Sequence, residues 1–199
     1  MVVFDCLVTV GPGEFEVQVH LHAESFASAL RSALRESPDV LVLGEMRDLE
    51  TVQLALSAAE TGILVYGTLH TNSAAKAIDR IIDVVPEESR EATRGVLSVL
   101  LRGVIAQQLC KKANGEGRVA AIEVLLQNFA VSHMIRDDKL HQLEGYLQTA
   151  SADGSGAQSL DSALYRLAID GLVEREEVLG VARYPDEMKK RFAEIPEET

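Results

Sequence analysis

The chain has 199 residues, 47% of them hydrophobic and 25% charged, with a formal net charge of −12. That length supports a buried core in one large or two small domains, and the acidic balance argues against a broad nucleic-acid footprint. No apolar run approaches the about 20 residues a membrane span requires, Met1 to Val10 lacks the basic start of a secretory signal, and Cys6 and Cys110 have neither metal-ligand spacing nor the pattern of a disulfide framework. A cytoplasmic, reducing compartment is the expectation.

Val2 to His22 is rich in β-branched residues and interrupted by Gly11-Pro12-Gly13, which predicts two strands joined by a turn. From Ser25 the period becomes helical, with Phe26, Ala29, Leu30, Ala33 and Leu34 on one face behind a serine cap. Pro38 ends that helix, and Val40-Leu41-Val42-Leu43 reads as a strand delivering Gly44, Glu45, Arg47 and Asp48 to its end. Asp48 caps a helix carrying Leu49, Val52, Leu56 and Ala59, which Gly62 stops. Ile63 to Leu69 forms a second strand, ending in Thr68, His70, Thr71 and Asn72. The order strand, helix, strand predicts a parallel pair with a right-handed crossover, and the near-continuous apolar runs predict burial on both faces.

Asn72 or Ser73 caps a short helix to Asp83, and Pro86 fits the first turn of a long one whose apolar face runs Val96, Leu97, Leu100, Leu101, Val104, Ile105, Leu109. Asn114 to Gly117 is a turn, and Arg118 to Leu126 alternates as a strand. Ala130 to Arg136 and Lys139 to Leu147 are short helices, Ala150 to Ala157 a flexible connector, and Leu160 to Ala168 and Glu174 to Val181 further helices. From Pro185 the chain is charged and expected to fray.

In open α/β sheets ligands collect outside the carboxyl ends of the strands, so the two polar clusters fall where a site is expected. A carboxylate there can order Mg²⁺ or orient attacking water beside a triphosphate; a strand-end glutamate can equally pair with Arg47 or serve the following helix. His20 and His22 fall on one face of a strand, but without a third ligand nearby they read as a solvated pair rather than a metal site.

Gly44-Glu45-Met46-Arg47-Asp48, Ala58-Ala59-Glu60-Thr61-Gly62 and Gly67-Thr68-Leu69-His70-Thr71-Asn72-Ser73-Ala74 together resemble the type II/IV secretion ATPase family, on its twitching-motility side. The match runs from near Ser25 to about Gly180. It implies an α/β fold: the RecA-like half of a P-loop NTPase over 25–127, a helical region over 128–199, and remnant strands over 1–24. It also implies ATP and Mg²⁺ as ligands, with Gly44 and Glu45 at the Walker B motif and Glu45 serving hydrolysis. His70, flanked by Thr68 and Thr71, stands in the His box that senses the γ-phosphate. Arg80 stands one to two turns along the next helix, to contact phosphate, a neighbouring subunit, or only a surface carboxylate.

Ala130 to Asp137 is similar to the retraction segment that family members write AIRNLIRE; Ile135 and Arg136 match, Asp137 replaces glutamate, and Ser132 and His133 depart from it. Without the family this is an ordinary amphipathic helix. No glycine-rich turn followed by Lys-Ser or Lys-Thr occurs in the 199 residues, so the Walker A phosphate cradle of the family is not among them. Val8 to Phe15 matches the family's Asp box only faintly, and its PAS-like N-terminal domain is not among these residues either.

The resemblance implies a homo-oligomer, hexameric in the family, or docking on an intact motor ATPase. It further implies attachment at the inner membrane through the pilus platform, with no nucleic acid and no membrane span. Retraction of a type IV pilus by ATP hydrolysis is the implied function, and the 199 residues alone, without the Walker A cradle, are expected to be inactive. A non-catalytic module docking on a motor ring and a truncated gene product are the alternatives.

Overall fold

The structure is a computed structural model that describes residues 25–150 and 155–194. The strands expected over Val2 to His22, the His20 and His22 pair, the faint match over Val8 to Phe15 and Cys6 lie outside the described residues. The chain forms two compact units, one from the residues up to His70 together with Asp79–Leu101, the other from Thr71–Ile78 together with the residues from Arg102 onward.

The first unit contains α1 (Phe26–Arg35), β1 (Val40–Leu43), α2 (Leu49–Glu60), β2 (Leu64–Gly67), the second half of α3 (Ala74–Asp83) and α4 (Glu87–Leu100). The expected caps are present. Ser25 Oγ accepts from the Ser28 N–H at 3.1 Å, and Asp48 Oδ1 accepts from the Thr51 N–H at 2.8 Å. Each satisfies an amide that the first helical turn leaves without a partner. Gly62 closes α2 with φ +97°, a conformation that only glycine adopts without strain.

β1 and β2 pair in parallel, Val40 opposite Leu64 and Leu43 opposite Gly67. Leu41 and Leu43 are fully buried against Leu30 and Ala33 of α1 and Ala55 and Ala58 of α2. Burial on both faces of both strands is not what the fold shows: Leu64 and Tyr66 of β2 are exposed. The sheet that holds them has two strands among the described residues, and within these β2 is an edge.

The long helix expected through Leu109 ends at Leu100, and Gly103–Lys111 is a strand, β3. A spacing of four is even, so Leu101, Ile105 and Leu109 share a strand face as readily as a helix face. Gly103 and the β-branched Val104 and Ile105 favour the strand, and nine register positions of pairing decide it.

The second unit contains the first half of α3, β3, β4 (Arg118–Leu126), α5 (Phe129–Arg136), a 3-10 turn at Leu140–Gln142, α6 (Leu143–Ala150), α7 (Leu160–Ile169), α8 (Arg175–Val181) and α9 (Pro185–Ala193). β3 and β4 form an antiparallel hairpin from Gly103 opposite Leu126 to Lys111 opposite Arg118. Its inner face supplies Cys110 and Ala121 to a core shared with Leu160 and Leu164 of α7, Val178 of α8, and Met188 and Phe192 of α9. Burial pushes the Cys110 thiol above its usual range, as expected of an inert packed cysteine. The hairpin packs with these helices, and the compact units part between Leu101 and Arg102 as well as on either side of Thr71–Ile78.

Two further expectations are corrected. The segment from Pro185 does not fray at its start: Met188 and Phe192, four apart, bury one side of a charged helix that runs to Ala193. α6 also takes in Ala150, the first residue of the connector expected over Ala150 to Ala157, of which residues 151–154 lie outside the described residues.

The start of the hairpin leaves no room for a side chain, since a Cβ on Gly103 would lie 2.9 Å from the Leu125 carbonyl oxygen. Gly103→Ala is expected to destabilise the chain by about 1–3 kcal/mol, outweighing the smaller gain from removing a strand glycine. Urea unfolding checks this; an unchanged or raised midpoint refutes it.

Candidate functional site

The ends of β1 and β2 are tied together beyond their ladder. The Thr68 N–H donates to the Leu43 carbonyl at 3.3 Å, the Met46 N–H donates to the Thr68 carbonyl at 3.0 Å, and the Thr68 hydroxyl donates to the Gly44 carbonyl. The two exit segments are therefore held side by side, as a strand-end site requires. The Met46 side chain lies over Gly67, so close that a Cβ there would fall 2.6 Å from the Met46 Cε and displace that flexible side chain.

Glu45 sits at the centre. Its Oε2 lies 2.5 Å from Arg47 Nη2 and its Oε1 lies 3.2 Å from His70 Nε2. The carboxylate side chain is 18% exposed while those of Arg47 and His70 are 75% and 76% exposed. An acid turned inward thus faces two cationic or proton-donating groups turned toward solvent. The Arg47 hydrogen bond holds the Glu45 carboxyl below the usual glutamate range, burial opposes that, and the charges of Arg47 and His70 reinforce it.

Glu45 is consequently ionised at neutral pH, the state needed to accept a hydrogen bond or a proton from water or to face a cation. Exposed ion pairs are worth only about 0–1 kcal/mol, so either partner can swing away when a ligand competes.

The lowered value fixes the sign of the pH effect. Where the folded pKa lies below the unfolded one, the stabilisation is fully present above the unfolded pKa and is lost as pH falls through the folded pKa. Arg47→Met removes the largest cause and is expected to raise the Glu45 titration midpoint toward the ordinary glutamate range. Carbon-detected NMR of the side-chain carboxyl measures it; an unmoved midpoint rules out Arg47 as the cause.

Gly44, Glu45, Thr68 and His70 are thus brought together. Thr71, half-buried, follows His70 in the chain but belongs to the second unit, whereas Arg80 is an exposed residue on the half of α3 that belongs to the first. The retraction-like residues lie on α5, in the second unit. Ile135 is fully buried, and Arg136 is exposed beside Asp137, the residue that ends the helix. The hydrogen bond from Lys139 holds the Asp137 carboxyl below the usual aspartate range, with the charges of Lys139, His133 and Arg136 adding to it.

Sequence reasoning passed over Glu123 and Arg183. Glu123 is fully buried; its Oε1 accepts from the Ala74 N–H at 2.8 Å, and its Oε2 lies 2.7 Å from Arg183 Nη1. A signal was available: Ala121, Glu123 and Leu125 share the inward face of an alternating strand, and a carboxylate at a core parity demands a partner.

The family model described as "Type II/IV secretion system protein" matches residues 11–188. The chain is 52% identical to a "Twitching motility protein" of Neisseria gonorrhoeae over 159 residues, which are 80% of this chain and 42% of that protein. It is 50% identical over 169 residues to the "Type IV pilus retractation ATPase PilT" of Pseudomonas aeruginosa, covering 85% of this chain and 48% of that protein. The solved structure of the pilus retraction motor PilT with bound ADP is similar with a TM-score of 0.77 at 46% identity, covering 87% of this chain and 48% of that one. The chain spans about half the length of these relatives.

Proposed function

Because the chain belongs to the type II/IV secretion system protein family, we propose that it carries the acid and histidine portion of an ATP-hydrolysing site, in a motor that retracts a type IV pilus. The observation that supports this most directly is the 3.2 Å approach of Glu45 to His70 at the ends of two adjacent parallel strands. In this reading Glu45 orients the attacking water or the Mg²⁺ shell, with Gly44 and Thr68 shaping the backbone around it. His70 and Thr71 meet the γ-phosphate, and Arg80 contacts phosphate or a neighbouring subunit. ATP and Mg²⁺ would supply the phosphoryl group and the charge that neutralises it.

The 199 residues contain no glycine-rich turn followed by Lys-Ser or Lys-Thr, so the phosphate cradle must come from outside them. By its resemblance to the family, the working form is an oligomer, a hexameric ring, acting at the pilus inner-membrane platform. Among the described residues no helix is long and apolar enough to cross a membrane.

A second reading, a non-catalytic module that docks on an intact motor ring, is favoured by the outer face of the β3–β4 hairpin, where Ile105, Leu109, Ile122 and Leu126 are exposed. The readings separate in a grafted motor, in which residues 25–194 replace the matching segment of the Pseudomonas aeruginosa relative. ATP turnover that depends on Glu45 supports the first. Turnover that is indifferent to Glu45→Gln, or absent despite an assembled ring, sinks it.

A further inference from the structure

We infer that Glu123 and Arg183 are positioning residues, a buried clamp that fixes the segment Asn72–Ala74 and so sets the course of the chain immediately after His70. The clamp grips one short stretch of backbone from two sides. Glu123 Oε1 takes the Ala74 N–H at the first turn of α3, while Arg183, paired through Nη1 with Glu123, donates from Nη2 to the Asn72 carbonyl at 3.1 Å. Ser73 lies between them, buried, with its hydroxyl accepting from the Lys76 N–H.

Arg183 is itself held. Its own backbone N–H and that of Tyr184 donate to the two carboxylate oxygens of Asp161 at 2.9 and 3.0 Å, and Asp161, also buried, sits in the first turn of α7. Glu144 of α6 adds a second carboxylate 3.6 Å from the guanidinium. Groups from β4, α6, α7 and the loop between α8 and α9 therefore converge on two peptide units.

Stability alone does not account for this arrangement. A buried ion pair is commonly no more stabilising than apolar side chains of the same volume, because both charges are stripped of water. What an apolar replacement could not do is bind a carbonyl and an amide two residues apart. The planar fork of an arginine can serve a carboxylate and a carbonyl at once. A cavity of about 330 Å³ lined in part by Asn72, Ser73, Lys76, Arg183 and Tyr184 adjoins the clamp and leaves the segment room to move once released. The clamp thus makes the backbone after His70 answer to the C-terminal helices.

The functional half of the inference rests on the reading of His70 as the residue that meets phosphate. The test is amide hydrogen exchange by NMR on the nucleotide-free chain, with Lys189→Ala, which removes an exposed pair with Asp186, as the control. In Glu123→Ala and Arg183→Ala the Ala74 amide is expected to exchange at least about tenfold faster, with protection in the β3–β4 ladder retained, as a local opening requires. Glu123→Gln, which keeps an oxygen for Ala74, preserves most of that protection.

The His70 ring resonances shift in Arg183→Ala and return toward their original positions in Arg183→Lys. Ala74 exchange no faster than in the control overturns the clamp. Parallel acceleration of every amide overturns it too, because that marks a merely structural role. If the alanine variants do not fold, Arg183→Met, which keeps much of the side-chain volume but cannot donate to the Asn72 carbonyl, carries the comparison: faster Ala74 exchange and shifted His70 resonances are expected, and the absence of both overturns the clamp. In the grafted motor, His70 resonances that ignore Mg·ATP overturn the phosphate reading, and with it the functional half, while the Ala74 exchange rate separately decides for or against the clamp.

Discussion

Glu45→Gln in the grafted motor is expected to lower kcat for ATP by about 10²–10⁴-fold, the range that loss of a positioned acid–base group produces. The affinity for ATP is expected to change by less than about threefold, because the lost interaction serves the transition state and not ground-state binding. Glutamine keeps the shape of the side chain and a carbonyl oxygen for His70 or Arg47, so the loop between β1 and α2 retains its course. It cannot carry the negative charge that Arg47 and His70 now stabilise. Steady-state turnover and a separate nucleotide-binding titration measure the two quantities. A fall in affinity that matched the fall in rate would make Glu45 a binding group, and an unchanged rate would remove it from the chemistry.

Ile135→Ala is expected to destabilise the chain by about 2–5 kcal/mol, the range for emptying a fully buried aliphatic site. At the usual scaling for a chain of this size, each kcal/mol lowers the melting temperature by about 2–4 °C. Arg136→Ala and Asp137→Ala, on the exposed end of the same helix, should leave the melting temperature within about 1 °C. The three positions look alike as members of a retraction-like segment, yet they divide by burial: Ile135 is fully enclosed, and Arg136 and Asp137 face solvent, within reach of a partner. A retraction defect from Ile135→Ala would therefore be a folding defect first, and Arg136→Ala is the cleaner probe of function. Thermal unfolding decides the matter, since an Ile135→Ala chain that melts with its parent would contradict the burial.

Much of the first unit was legible in the residues. Ser25, Asp48 and Gly62 mark helix ends by local chemistry, and the apolar runs at Val40 and Leu64 carry parallel strands whose ends meet. Glu45 and His70 belong to those ends. Their approach follows from strand register, and register follows from the same apolar runs.

The errors lay where local pattern was ambiguous. The spacing of Leu101, Ile105 and Leu109 fits a helix and a strand equally, and only pairing with β4 chose between them. α9 looked frayed because its charged residues outnumber its apolar ones, although Met188 and Phe192 alone suffice to anchor it once a core exists to receive them.

What the sequence by itself determined is therefore the identity and place of the strand-end acid and histidine, since caps, periodicity and strand ends are set by residues a few positions apart. What only the tertiary structure decided is which distant charges meet. Glu123 found Arg183, Arg183 found Asn72, and Glu45 acquired a depressed pKa from neighbours brought within about 3 Å. Those interactions fall off steeply with distance and depend on exclusion of water, so they exist only after packing has put the partners in place.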